Sequence, residues 1–205
     1  MSSFRSEPFL WIHLAGIAIL PLWLELVWLG LAIGVPLPVS WLELLVVGAI
    51  GIVPVLGMQL IRPFDIFSIL VLSLKSDRLT TEQRKILTLF KTNKQKLLSL
   101  IAAALMVFVL WQLYRLAPLA AGAASLAPQW RILGLLLATS AFLASNLFLQ
   151  VPVSVLGVLS NSKQQFAVTA PYPLEQIEAD FTIPGLKAKQ ILPFNLSEST
   201  SEKSA

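Results

Sequence analysis

Four long apolar runs dominate this sequence and restrict how it can fold. They cover about residues 9–35, 41–61, 97–116 and 132–159. Each reaches the roughly 20 residues that a helix needs to cross the hydrocarbon core of a bilayer. We therefore predict an all-α integral membrane protein with four transmembrane helices and short connections at 36–39 and 117–130.

Composition agrees with this class and excludes others. Hydrophobic residues make up 56% of the chain and charged residues 13%, well below the roughly 25% charged content of soluble domains. There is no cysteine, and His13 is the single histidine, so disulfides, thiolate nucleophiles and two-histidine metal motifs are excluded within one chain. Phosphate-binding glycine loops and GxSxG are also missing. We expect no enzyme activity and no cofactor.

Charge is concentrated between the second and third spans. Residues 62–96 contain eight Lys or Arg against three acids, whereas the loops on the opposite side have only Arg115 and Arg131 at their edges. Short basic loops stay in the cytoplasm, so we predict that this loop and both chain ends are cytoplasmic. The positive-inside rule also accounts for the net charge of +4, and we expect no nucleic-acid partner.

The basic loop has two parts. Residues 66–74 are nearly all apolar but too short to cross, which predicts an interfacial helix or a re-entrant turn. Thr80 and Gln83 have capping-box spacing before a basic amphipathic helix at about 81–91. Six cations of this part are candidate contacts for a partner or for anionic headgroups: Arg78, Arg84, Lys85, Lys91, Lys94 and Lys96.

Prolines and glycines interrupt the spans. Pro21 predicts a kink in the first, and Pro54 lies within the second, where Gly48 and Gly51 would let another helix approach. The fourth span either tilts or breaks near Pro152.

After the fourth span the character of the sequence changes. Residues 161–194 are rich in proline yet too apolar for a solvated tail, so we predict an extended, irregular segment docked on the cytoplasmic side. Residues 195–205 are polar and Ser-rich, which predicts disorder.

Acids within the spans are the candidate polar site, because a carboxylate there is costly and normally has a partner. The tetrapeptide WLEL occurs twice and places Glu25 deep in the first span and Glu43 near the outer end of the second. We expect Glu25 to face the bundle and Glu43 to pair with Arg115 or to be hydrated. His13 is expected to meet a headgroup or backbone group. Four further residues are expected to bond helices together: Gln59, Gln112, Asn146 and Gln150.

Several stretches carry a family resemblance: SFRSEPFLWIHLAG (3–16), RPFDIFSILVLSLK (62–75), LWQLYRLAPLAA (110–121), SNLFLQVPVSV (145–155) and YPLEQIEADFTIPG (172–185). These resemble the cyanobacterial low-complexity tail membrane proteins over about residues 3–195. The resemblance implies a cyanobacterial membrane, either thylakoid or plasma membrane. It brings no activity and no site residues.

Three classes of function follow. The absence of catalytic motifs favours a non-catalytic scaffold, assembly or accessory factor for a membrane complex, photosynthetic if the resemblance is a guide. The alternative is a small transporter or channel using Glu25, which would need a homo-oligomer because four spans rarely enclose a pathway. A membrane enzyme ranks third. The expected partners are the lipid bilayer and another membrane protein.

Overall fold

The computed structural model describes residues 4–69, 71–124 and 128–191 and is mostly helical. Within these ranges four helical segments are long and apolar enough to cross a membrane: Pro8–Ala32, Ser40–Ile61, Asn93–Ala120 and Arg131–Leu159. The four predicted spans are therefore present. The Ser-rich end at 195–205, predicted to be disordered, lies outside the described residues.

The elements are numbered in chain order. The helices are α1 (Pro8–Ala15), α2 (Leu20–Ala32), α3 (Ser40–Ile61), α4 (Thr81–Phe90), α5 (Asn93–Ala120), α6 (Arg131–Leu159), α7 (Lys163–Val168) and α8 (Leu174–Asp180). The strands are β1 (Ser68–Ile69), β2 (Leu72–Leu74) and β3 (Leu186–Ala188).

Helices α1 and α2 form the first span, and they are joined by a 3-10 turn at Gly16–Ile19. The turn ends two residues before Pro21, the second residue of α2, whose ring removes an N–H donor and crowds the preceding turn. The distortion predicted at this proline is thus present. Helix α6, in contrast, continues through Pro152 without a break.

Helix α6 lies at the centre of the bundle and packs against the other three spans. Its closest approach is to α2, where Gly30 and Gly134 meet backbone to backbone. Gly51 of α3 faces the ring of Phe142, and Gly48 faces Leu110, as expected from the small residues of this span.

One end of the bundle is covered by a small folded unit, which we call the cap. It is built from the turn at Phe4–Ser6, residues 62–92 and residues 161–191. The core of the cap contacts the start of α1 and the end of α6. We call this end of the bundle the cap side. The fully buried aromatic and aliphatic residues of the core include Phe67, Ile66, Ile86, Leu87, Ile177 and Phe181.

The cap contains β-structure, which corrects the all-α prediction. Among the described residues β1 and β2 form an antiparallel hairpin, and β3 pairs parallel to β2 as a third strand. The described residues of this stretch, 66–69 and 71–74, are therefore not an interfacial helix. Ser68 and Ser73, paired across the hairpin, are both buried and their hydroxyl groups are 2.9 Å apart.

The segment after α6 also differs from its prediction. It includes α7 and α8, so the description as an extended and irregular chain is wrong for these residues. Both helices use one apolar anchor, Phe166 in α7 and Ile177 in α8, to reach the cap core. Prolines at 171, 173 and 184 lie between the elements and not within them.

Helix α4 begins at the predicted capping box. The Thr80 hydroxyl accepts from the Gln83 N–H, and the Gln83 side chain accepts from the Thr80 N–H. Its apolar stripe, which includes Ile86, Leu87 and Phe90, is buried in the cap core. The apolar stripe of α4 therefore faces protein.

The contact between α2 and α6 yields a prediction. A Cβ atom at Gly30 would lie 2.7 Å from the Ala138 nitrogen and 2.8 Å from the Gly134 oxygen, and backbone atoms cannot move aside easily. Gly30→Ala should therefore destabilise the bundle by about 1–3 kcal/mol, seen as earlier unfolding in a denaturing-detergent titration. Gly57→Ala is the control, since nothing lies within 4 Å of its Cβ position. Equal stability of the two variants would contradict this packing.

Candidate functional site

A buried ion pair joins the spans at the end opposite the cap, which we call the clamp side. The Arg131 Nε–H donates to Glu43 Oε1 at 2.7 Å, and Nη2 donates to Glu43 Oε2. The Tyr114 hydroxyl donates to Oε2 at 2.8 Å, and the Leu37 N–H donates to Oε1 at 2.8 Å. Exposure is 1% for Glu43 and 5% for Arg131, so both charges depend on these partners.

Helix termini explain why the pair sits here. Glu43 lies in the first turn of α3, where the N-terminal end of the helix dipole favours an anion. Arg131 is the first residue of α6, an unfavourable end for a cation. It is compensated by the C-terminal end of α2, because Nη1 donates to the carbonyls of Leu31 at 2.7 Å and Ile33 at 3.0 Å.

The pairing of Glu43 with Arg115 predicted from the sequence is wrong. Arg115 is exposed, and its guanidinium lies over the ring of Trp111, 4.8 Å from the centroid. Arg131 was missed because it was taken to mark a membrane edge. A usable signal exists: the second and fourth spans both begin on this side, so the first turns of α3 and α6 meet.

We call the bonded group of Glu43, Arg131 and Tyr114 the clamp. Its role is structural. Within the described residues, four of the five N–H donors of Arg131 are already bonded to protein atoms. A groove of about 250 Å³ runs beside it, lined by apolar residues together with Tyr114 and Arg131. The donors that a ligand in this groove would need are therefore largely engaged in joining the four spans.

Glu25 does not face the bundle interior, which corrects the expectation for this residue. It lies in α2, and its side chain is exposed on the outer surface of the four spans. Among the described residues no ion pair joins Glu25 to Arg115, and Glu43 and Arg115 have different partners, so these three candidate residues are not bonded into one site.

Four of the six candidate cations of the basic loop contact the C-terminal part of the same chain. Arg84 donates to the Tyr172 carbonyl at 3.3 Å, Lys85 to the Ala167 carbonyl at 3.3 Å, and Lys94 to the Gly157 carbonyl at 3.1 Å. Lys91 lies 3.4 Å from a carboxylate oxygen of Asp180.

Arg84, Lys85 and Lys91 therefore hold the chain's own C-terminal segment against the loop, whereas Lys94 bonds the end of α6. The side chains of Arg78 and Lys96, in contrast, are exposed. They remain candidate contacts for headgroups or for a partner.

The Lys91 contact belongs to a small network. Tyr172 donates its hydroxyl to Asp180, and this bond, followed by Lys91, holds the pKa of the Asp180 carboxyl below its usual range. Burial and the neighbouring carboxylate together raise the pKa of Tyr172 to about 12. The tyrosine therefore stays protonated and keeps donating at neutral pH.

Asp65 is the buried acid of the cap. Its exposure is 1%, its N–H donates to the Thr182 carbonyl, and its carboxylate accepts from the Phe67 N–H at 3.0 Å. Burial raises the pKa of the Asp65 carboxyl to about 6 although the Phe67 bond acts in the opposite direction. The sequence pattern did not single out this residue.

Buried polar side chains of the spans differ in whether they bond within one helix or between two helices. Asn146 and Gln150 are buried but bond within α6, to the Phe142 carbonyl and to each other. Gln95, which was not predicted, bonds α5 to α6 through the Ser154 carbonyl at 3.0 Å. His13 meets a backbone group, the Ser68 carbonyl at 2.7 Å, which is one of its two expected partners.

These features define a multi-pass helical membrane protein with a folded cap formed jointly by the central loop and the C-terminal segment. A family model described as low-complexity tail membrane protein-like matches residues 6–193, most of the chain. The protein belongs to this family, and the resemblance drawn from its sequence is confirmed. No curated protein and no solved structure matches the chain.

The clamp allows a matched test of two arginines. Arg131→Leu leaves Glu43 buried without its cation, which should cost about 3–5 kcal/mol of unfolding free energy. Arg115→Leu removes an exposed contact with Trp111 and should cost no more than about 1 kcal/mol. The double change Glu43→Leu with Arg131→Leu should recover part of the loss. Detergent-unfolding titrations measure all three, and similar values for the two single variants would refute the clamp.

Asp65 gives a prediction for pH. The pKa of the Asp65 carboxyl in the folded cap lies above the ordinary 3.8, so the folded cap binds this proton more tightly than the unfolded chain does. The contribution of Asp65 to cap stability therefore falls as the pH rises from about 4 to about 6, and is constant above that. Asp65→Asn should stabilise the cap at pH 7 by about 1–3 kcal/mol.

The measurement is hydrogen exchange of residues 161–191, corrected for intrinsic rates, at pH 5 and pH 7. Asp77→Asn, an exposed change in the same loop, is the control. An Asp65→Asn variant that keeps the pH dependence of the unmodified chain would assign that dependence to another group.

Proposed function

We propose that this protein is a non-catalytic accessory or assembly factor of a membrane protein complex, and that its first span contacts a helix of that complex. The observation that carries the proposal is Glu25, an ionisable residue on the outward surface of a membrane span. Such residues normally face a bundle interior, a cavity or a partner.

The depth of Glu25 makes simple hydration unfavourable. It lies seven residues before Ala32, about 10 Å from the clamp-side end of the span at 1.5 Å per residue. That is farther than a glutamate side chain extends. Placing an ionisable side chain among lipid tails costs about 3 kcal/mol on insertion scales.

Among the residues that the structure describes, none forms a hydrogen bond or ion pair with Glu25. A neighbouring helix that supplies a cation, amide or hydroxyl donor at this depth would satisfy the carboxyl group. The same face carries Ala18, Pro21 and Leu22, one or two turns before Glu25 and all exposed. The small side chain of Ala18 would let the partner backbone come close.

The alternative function is an oligomeric transporter or channel. The interior of one bundle does not support it, because Glu25 points outward and the clamp of Glu43, Arg131 and Tyr114 joins the spans at one end. A pathway using Glu25 would have to run between copies of the chain. This alternative therefore requires a homo-oligomer with Glu25 at its contacts.

The setting of the proposed complex rests on the sequence. The family resemblance suggests a cyanobacterial thylakoid or plasma membrane, and a photosynthetic complex as the partner. The charge distribution suggests that the cap and both chain ends are cytoplasmic. Exposed Arg78 and Lys96 would then lie near anionic headgroups on that side.

A photocrosslinker placed at Leu22 in native membranes tests the contact. We expect adducts with one distinct membrane protein from this position and none from Val53, which is equally lipid-facing but lies on α3. Adducts between copies of the chain would support the oligomeric transporter. Equal, nonspecific labelling at both positions would contradict a contact on the first span.

Substitution of Glu25 tests the role of the acid. Glu25→Leu should weaken co-purification of the complex at least about tenfold, equivalent to about 1.4 kcal/mol, while leaving the unfolding of the isolated protein unchanged. Glu175→Gln, an exposed acid in the cap, is the control. A Glu25→Leu chain that still co-purifies normally would rule out this carboxyl as the contact.

A further inference from the structure

We propose that the end of the cap sheet where β2 and β3 begin is a membrane anchor, in which Val71, Leu72 and Leu186 insert into the headgroup and acyl-chain boundary of the bilayer on the cap side. This inference does not depend on the partner proposed for Glu25. It follows from the exposure of these three residues, from their place in the sheet and from the depth of the hairpin.

Leu186 joins Val71 and Leu72 in one apolar patch although it lies more than a hundred residues later in the sequence. Leu72 pairs with Leu186 across β2 and β3, and the Leu186 N–H donates to the Val71 carbonyl at 2.7 Å. Val71 is 66% exposed and Leu186 74% exposed. Exposed apolar residues that are contiguous in this way mark an interaction surface.

The approach of the two segments is fixed by Gly185. Its φ is +72°, and a Cβ atom there would lie 1.9 Å from the Val71 oxygen. Only glycine tolerates both the backbone conformation and this distance. The C-terminal segment is therefore held tightly against the hairpin, and Leu186 is a fixed part of the patch.

The depth of the hairpin follows from His13. About 20 helical residues cross the hydrocarbon core, and counting back this number from Ala32 at the clamp side reaches Ile12 and His13. Trp11, more than half exposed, lies at the same level, as expected for an aromatic residue at the interface. Because the His13 ring bonds the Ser68 carbonyl, the start of β1 lies at the edge of the hydrocarbon core.

Helix α3 gives the same level independently. It begins next to the exposed Trp41 and ends at Ile61, twenty residues later, which is also strongly exposed. The chain enters the hairpin within seven residues of Ile61. The apolar patch therefore continues the lipid-facing surface of the spans, which identifies lipid as its occupant.

The charges beside the patch fit the headgroup region. Lys75 follows β2 and its N–H donates to the Ala188 carbonyl, while Lys187 and Lys189 lie within and just after β3. Lysines next to an inserted apolar edge can reach lipid phosphates. Lys187 also contacts Glu178 of α8 at 2.5 Å, so the anchor is coupled to the rest of the cap.

The absence of cysteine from the chain permits a direct test with the full-length protein. Single cysteines at Val71 and Leu186 would be labelled with an environment-sensitive fluorophore and reconstituted in phosphatidylcholine vesicles containing phosphatidylglycerol. We expect quenching by lipids with a doxyl group near the headgroup to exceed that at the control Gln164 by about threefold, with protection from aqueous iodide. Gln164 lies in α7 and is exposed.

Two results would overturn the proposal. Iodide quenching at Val71 and Leu186 equal to that at Gln164 would place the patch in water, and protection from both quenchers would show that protein covers it. A second measurement needs no cysteine and therefore stays valid even where a cysteine substitution disturbs the sheet. Carbene footprinting of the unmodified chain with a lipid-soluble reagent should modify residues 71–75 and 183–188 but spare 163–168, and the reverse pattern would refute the anchor.

Discussion

A buried cation that must be neutralised organises the membrane part of this protein. Arg131 sits at the wrong end of a helix dipole and out of water, so it needs acceptors from several elements at once. Glu43 of α3 supplies the negative charge, and the C-terminal end of α2 supplies two carbonyl acceptors. The Tyr114 hydroxyl of α5 donates a further hydrogen bond to the Glu43 carboxylate. Each of the four spans contributes at least one group to these bonds, which couples them into one bundle.

The cap side is held together differently, by an apolar core that two parts of the chain share and by several separate polar contacts. Phe67 and Ile86 from the loop meet Ile177 and Phe181 from the C-terminal segment, so neither part can bury its apolar residues without the other. The basic residues of the loop then bond carbonyls and an acid of that segment. A loop whose charge suggests an external partner is thus largely occupied by contacts within its own chain.

What the sequence could and could not predict follows from the range of each interaction. The spans and the Thr80 capping box were predictable because length, apolarity and local spacing decide them within one segment. The three-stranded sheet was not, because its third strand comes from Leu186–Ala188, more than a hundred residues after β2. The partner of Glu43 was assigned to Arg115 on depth alone, and depth does not distinguish an arginine facing outward from one facing the bundle.

The two copies of the WLEL tetrapeptide show how position decides the role of an identical local sequence. In the second copy the helix begins beside Trp41, so Glu43 falls in the first turn and reaches Arg131 and Tyr114 inside the bundle. In the first copy the same residues lie within a continuing helix, and Glu25 faces away from the other spans. The bundle thus satisfies Glu43 internally, whereas Glu25 is exposed on its surface. An exposed carboxyl group within a span is the basis of the proposed contact with a second molecule in the membrane.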